Sequence, residues 1–148
     1  MSFKITFKTK WSDFDANKHL RHTAYNDFAA EARLRFFMAE GFDLEKLNVL
    51  QIGPILFKEE TSFFREVGVG QDITVELMMK GYSEGGERWK IHHKIIKADG
   101  VVAAVIDVYG AWLDLDKRKL CAPPEAIVQM FDKLPRSEDF ELIAMKKK

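Results

Sequence analysis

Between residues 12 and 37 the sequence SDFDANKHLRHTAYNDFAAEARLRFF gathers Asp13, Asp15, Asn17, His19, Arg21 and His22 just ahead of an apolar run with helical spacing. Asp13 and Asp15 have the same parity, so an extended backbone turns both to one face, where two carboxylates can hold a proton between them. The competing account is a turn, whose amides aspartate accepts readily. The helix that follows is expected to begin within His22 to Ala24, with Thr23 as N-cap. Its first amides have no intrahelical acceptor and carry the positive end of the helix dipole. A carboxylate beside such amides suits hydrolysis. One group activates water, the other receives charge developing on a carbonyl oxygen, and loss of one such donor costs an enzyme about 3 kcal/mol.

The elements that must position these groups follow from hydrophobic period. Residues 3 to 11 alternate, with Phe3, Ile5, Phe7 and Trp11 opposite Lys4, Thr6, Lys8 and Lys10, which predicts a strand with one buried face. From Tyr25 to Glu40 the period becomes helical. Tyr25, Phe28, Ala29, Ala32, Phe36 and Ala39 form a stripe, and Gly41 can close the last turn. Ala30, Leu34, Phe37 and Met38 lie on the other side, so the helix is expected to be held against a sheet and partly enclosed by it.

A short piece over 43 to 50 should end at the Gly53-Pro54 breaker, with an irregular strand over 55 to 66. Alternation through Ile73, Val75, Leu77 and Met79 marks the next strand, YSEGGE at 82 to 87 a hairpin into 88 to 98, and Asp99-Gly100 a turn into 101 to 115. After Pro123-Pro124, the residues EAIVQMFDKL predict a short helix with Ile127, Met130, Phe131 and Leu134 inward. The order is strand, long helix, four mainly antiparallel strands and a closing helix, an α+β class. Its open edges would be covered by an edge-to-edge dimer.

Composition narrows the function. Lys+Arg and Asp+Glu are each 23 in 148 residues, so nothing attracts the chain to nucleic acid. No apolar stretch approaches the roughly 20 residues that span a bilayer. The start MSFKITFKTK is too charged for a secretory core, and Cys121 is the lone cysteine, which fits a cytoplasmic location. Lys146, Lys147 and Lys148 read as a solvated terminus. His92 and His93 point to opposite strand faces, and with His19 and His22 they make no compact metal-ligand spacing. His93 shares parity with Trp89, Ile91 and Ile95, which predicts a satisfied core or interface histidine.

The stretch SDFDANKHLRHTAYNDFAAEAR resembles the opening signature of the hot-dog thioesterases, in the branch of the 4-hydroxybenzoyl-CoA and acyl-ACP thioesterases. That signature reads roughly D-x-D-x-x-G-H-V-N-N-x-x-Y and continues into a helix with an acidic residue and an Arg. The match falls on Asp13, Asp15, His19, Tyr25, Glu31 and Arg33. Phe63, Gly70-Gln71-Asp72, the two hairpins and DLDKRKLCAPPEAI extend it over nearly the full length. Lys18 stands where the family has Gly, Leu20 where it has Val, and Arg21 and His22 where it has two Asn. A position needing positive φ would strain Lys18. Asn17 with His19 is also similar to the N-x-H pair of plant-type acyl-ACP thioesterases.

The resemblance implies one hot-dog domain over residues 1–148, an antiparallel sheet wrapped around a long central helix, assembled as a homodimer or homotetramer. It implies an acyl-CoA or acyl-ACP thioesterase that hydrolyses an acyl or aryl thioester to free acid and thiol without a cofactor, the CoA or pantetheine belonging to the substrate. A dimer that binds acyl thioesters or lipids without hydrolysis is the alternative. On this reading Asp15 is general base or nucleophile, and His19 orients water, holds Asp15 or assists the leaving thiolate. Asn17 has a direct role or serves the turn. Glu31 is a second candidate base, although Arg35 four residues on suits an ordinary helix ion pair. The amides of Arg21, His22 and Thr23 are the expected oxyanion contacts, the Arg21 and His22 side chains face a phosphate-bearing arm, and Tyr25 joins them on the substrate side.

Overall fold

The computed structural model describes residues 2–145, so the basic run Lys146, Lys147 and Lys148 lies outside the described residues. The chain forms β1 (Phe3–Phe7), a 3-10 turn (Trp11–Asp13), α1 (His22–Ala39), α2 (Leu44–Leu50), β2 (Ile52–Phe63) and β3 (Ile73–Ser83). Then come β4 (Arg88–Lys97), β5 (Val102–Asp114), β6 (Lys119–Leu120), α3 (Glu125–Phe131) and β7 (Arg136–Ile143). One sheet runs β1-β3-β4-β5-β2, with β6 added to β5 and β7 to β3. Every pairing is antiparallel except β3 with β7. This is the expected α+β layout.

The core lies where the two periods meet. Val75, Leu77 and Met79 of β3 and Ile91, His93 and Ile95 of β4 are fully buried, as strand alternation requires. Helix α1 lays Ala24, Tyr25, Ala29, Ala32, Arg33, Phe36 and Phe37 inward, against β1, β3, β4 and β5. Ala29 and Ala32, both at 0% exposure, let the helix backbone come close to the sheet. His92, on the outer face, pairs its Nδ1 with Asp107 Oδ1 at 2.5 Å, and Lys80 Nζ reaches Asp107 Oδ2 at 2.7 Å. Among the described residues no helix is long and apolar enough to cross a membrane.

Several expectations are corrected. Trp11 leaves the first strand and is 85% exposed, because β3 begins at Ile73 opposite Phe7 and offers no partner further on. Gly53 and Pro54 lie inside β2, paired with Leu113 and Trp112; α2 is ended instead by Gln51 in the left-handed region, φ 56°. Proline is tolerated there because β2 is an edge strand. The N-cap of α1 is Arg21, not Thr23, and it makes no side-chain cap. Ala39, at the end of the expected stripe, is exposed.

β6 and β7 were not expected. β7, RSEDFELI, is charged and largely exposed, so it shows no strand period; main-chain pairing and the ion pairs Lys90–Glu141 (2.6 Å) and Lys80–Asp139 (3.5 Å) hold it. It borders the second half of β3, while β1 borders the first half.

Candidate active site

The loop from β1 to α1 is built on its two aspartates, which do different work. Asp13 is 2% exposed and accepts from Lys10 N at 2.9 Å and Lys10 Nζ at 3.0 Å. Burial pushes its carboxyl up, but these bonds and the charges of Lys10 and Arg21 outweigh it, leaving the pKa below the usual carboxylate value. The Asp13 carbonyl also accepts from Arg21 N at 2.8 Å. Asp13 is thus tied into the loop on every side and does not share a proton with Asp15.

Residues 14 to 20 form a small hairpin. Phe14 pairs with Leu20, Asp15 N donates to His19 O at 2.9 Å, and Lys18 N donates to Asp15 O at 3.0 Å. Lys18 has φ 63°, the left-handed residue that follows a type I turn in a three-residue hairpin loop. The turn expected from glycine at this position therefore forms with Lys18 in place. Asp15 Oδ1 accepts from Asn17 N at 2.9 Å and His19 N at 3.3 Å. The loop docks on the segment after β2 through Leu20 N to Val67 O, 2.8 Å, and the bridge from His19 to Gly68.

That docking creates a cleft of about 330 Å³ lined by Asp15, His19, His22, Tyr25, Phe63 and Glu66, among others. His19 Nε2 meets Glu66 Oε2 at 2.9 Å. Tyr25, 3% exposed, packs edge-on against Phe63 with ring centroids 5.1 Å apart. Burial pushes its hydroxyl pKa up, and the charges of Glu66 and Asp15 add to that. Phe63 and Phe64, each about half exposed, give the cleft an apolar lip.

At the start of α1 the Arg21 amide is taken by Asp13 and the Ala24 amide by Arg21 O at 2.9 Å. The amides of His22 and Thr23 have no acceptor among the described residues, so of the three expected oxyanion contacts two are open and Arg21 is not. The Arg21 guanidinium does not line the cleft: it donates to Ser12 O at 3.0 Å and to Thr23 Oγ1, and lies 3.6 Å from Asp27. Asn17 is exposed and contributes its backbone amide to the turn. Glu31 pairs with Arg35 at 2.9 Å, about two turns beyond the cleft.

No local sequence pattern marks Glu66, Arg65 or Phe64, which reach the cleft only through long-range docking. Nor do the sequence expectations include the depth of Arg33, whose Nη1 lies 3.1 Å from Nε2 of the fully buried His93. Arg33 follows Ala29 by four on the buried stripe, and that spacing was the available signal.

Residues 9–131 match the profile of the Thioesterase-like superfamily. Among solved structures, a hypothetical protein of Staphylococcus aureus in complex with CoA superposes with a TM-score of 0.84 at 23% identity, covering 99% of this chain and 96% of that one. A 1,4-dihydroxy-2-naphthoyl-CoA thioesterase from Synechocystis gives 0.79 at 16% identity, over 90% of this chain and 98% of its own. A gentisyl-coenzyme A thioesterase gives 0.77 at 20% identity, over 86% and 98%. These likenesses establish the hot-dog fold, a curled antiparallel sheet packed on a long helix. No curated protein matches the sequence.

Proposed function

Because this chain belongs to the Thioesterase-like superfamily, we propose that it hydrolyses an acyl or aryl thioester of CoA or of an acyl carrier protein to free acid and thiol. The observation that carries this is the pairing of a carboxylate with open amides at one cleft. Asp15 Oδ1 holds the loop, Oδ2 has no partner among the described residues, and the helix begins with the unpaired amides of His22, which lines the same cleft, and of Thr23 next to it.

The substrate carbonyl oxygen accepts from those amides. Asp15 Oδ2 takes a proton from water as the water oxygen bonds to the carbonyl carbon, and the tetrahedral adduct collapses as the carbon–sulfur bond breaks and the thiolate leaves. Direct attack by the carboxylate on the carbonyl carbon, breaking the carbon–sulfur bond and releasing the thiolate to leave an anhydride that water then opens, uses the same geometry. His19, held by Glu66, stands beside Asp15 to orient water or meet the thiolate. Phe63, Phe64 and Tyr25 supply the apolar wall for the acyl group.

The CoA carried by the Staphylococcus aureus neighbour supports a CoA thioester as substrate. Assembly as a homodimer or homotetramer is supported by edge strand β2, where Leu56, Phe57 and Phe63 are 41%, 48% and 52% exposed. The test is thiol release over short, medium, long and aryl acyl-CoAs, on the native protein and Asp15→Asn. Activity lost in the variant supports hydrolysis.

A second reading has its own observation: Asp15 Oδ1 is a turn acceptor, as a purely structural aspartate would be. Tight thioester binding without thiol release would favour that non-hydrolytic binder.

A further inference from the structure

Arg33 is 9% exposed and lies on the sheet side of α1. Its only hydrogen bond among the described residues runs from Nη1 to His93 Nε2, 3.1 Å. The other ring nitrogen, Nδ1, faces Ile106 O at 2.8 Å. A carbonyl can only accept, so Nδ1 carries the proton and Nε2 offers its lone pair to the guanidinium. The ring is neutral, with its pKa lowered to about 3 by burial and then by the Arg33 charge. A neutral imidazole gives a buried cation no counter-charge, and an uncompensated buried charge is costly. Among the described residues no carboxylate lies within ion-pair distance of Arg33; Glu59, whose charge does reach it, is bonded to Asn26 Nδ2 at 2.9 Å.

Arg33 lines a cavity of about 140 Å³ between α1 and the start of β2, whose other lining residues, among them Ala30, Leu34, Phe37, Leu56 and Trp89, are apolar. Arg33 follows Thr23 by about 15 Å of helix. Long helical side chains lean toward the N-terminus, which shortens the gap from the open amides to the guanidinium to about 10 Å. An extended chain advances about 1.2 Å per bond, so about eight bonds cross it.

We infer that this cavity is the far end of the acyl subsite and receives a carboxylate, making the preferred substrate a medium-length acyl thioester that ends in a carboxylate. This rests on the thioester-hydrolase reading. The carboxylate supplies the counter-charge that His93 does not, and a methyl-terminated chain of equal length leaves the buried guanidinium unpaired, which a site rejects strongly.

The experiment compares kcat/KM for suberyl-CoA and octanoyl-CoA in the native protein, Arg33→Met and Ala30→Leu, and follows binding of free suberate and octanoate by tryptophan fluorescence, Trp89 lining the cavity. Ala30→Leu fills the cavity while keeping Arg33 and His93, so it tests the subsite even where Arg33→Met fails to fold. The native protein is expected to favour suberyl-CoA by at least about tenfold, with the preference lost in both variants and suberate binding lost with it. Equal turnover of the two thioesters, or a preference that survives both variants, overturns the subsite and leaves the hydrolase standing. Absence of any thiol release, with suberate still bound in an Arg33-dependent way, overturns the hydrolase and retains the anion site.

Discussion

Asp15 and His19 are joined twice: Asp15 N donates to His19 O at 2.9 Å, and His19 N donates to Asp15 Oδ1 at 3.3 Å. The side chain that closes this loop is also the one with a free oxygen at the cleft, so substitution can separate shape from chemistry. In Asp15→Asn the amide oxygen still accepts from Asn17 N and His19 N, but the charge is gone. Thiol release is expected to fall about 10²- to 10⁴-fold with little change in the urea midpoint. Asp15→Ala removes both and should also lower stability by about 1 kcal/mol. Steady-state kinetics and urea melts of the two variants check this.

Glu31 is already bonded to Arg35 and lies beyond the cleft. Glu31→Gln should therefore leave kcat/KM within about twofold and cost no more than about 0.5 kcal/mol, the worth of a helix-surface ion pair. A loss comparable to that of Asp15→Asn in the same assay would transfer the base to Glu31.

Lys18 holds φ 63°, where an ordinary residue is strained by its Cβ. Lys18→Gly should raise stability by about 0.5 to 1 kcal/mol, whereas the β-branched Lys18→Val should lower it. Denaturant midpoints measure both. Faster turnover in the glycine variant would show that strain at this turn reaches the cleft.

His93 titrates at about 3 when folded, against an ordinary 6.5. Between those values the unfolded chain binds more protons than the native one, so stability rises with pH. The contribution is complete above about pH 6.5 and is lost as pH falls toward 3, with a slope approaching about 1.4 kcal/mol per pH unit. Asp13 and Asp107, both lowered from 3.8, act in the same direction only near and below that value. Urea midpoints from pH 7 to pH 4 should show the loss, and His93→Gln should flatten it. A flat native profile over this window would mean that His93 protonates without disturbing the fold.

What could be read in advance was local. The stripe through Tyr25, Ala29, Ala32 and Phe36 and the alternation through Ile73, Val75, Leu77 and Met79 carry their period in the side chains themselves, and these residues are buried. Asp15, His19, His22 and Tyr25 are near neighbours in sequence, so a shared cleft was legible. Glu66 and Phe63 enter it from the far end of β2, a relation set by docking of the loop on Val67 and Gly68, which no local pattern encodes. Arg33 was hidden by its charge, since a guanidinium on a helix is read as solvated unless its register is weighed against Ala29. β7 escaped for the opposite reason: its sheet pairing is made by the main chain, and its side chains look like those of a loop.

β1 and β7 lie in succession along one border of β3, whereas β2 at the other end of the sheet pairs only with β5 among the described residues. Each border of the sheet therefore ends in strands paired on one side only among the described residues, β1 and β7 at one border and β2 at the other. The two borders differ in character: β7 presents mainly charged side chains, whereas a second copy that extends the sheet at β2 meets the exposed Phe57 and Phe63, and a charged residue or proline placed mid-way along β2 would act as a stop for assembly there.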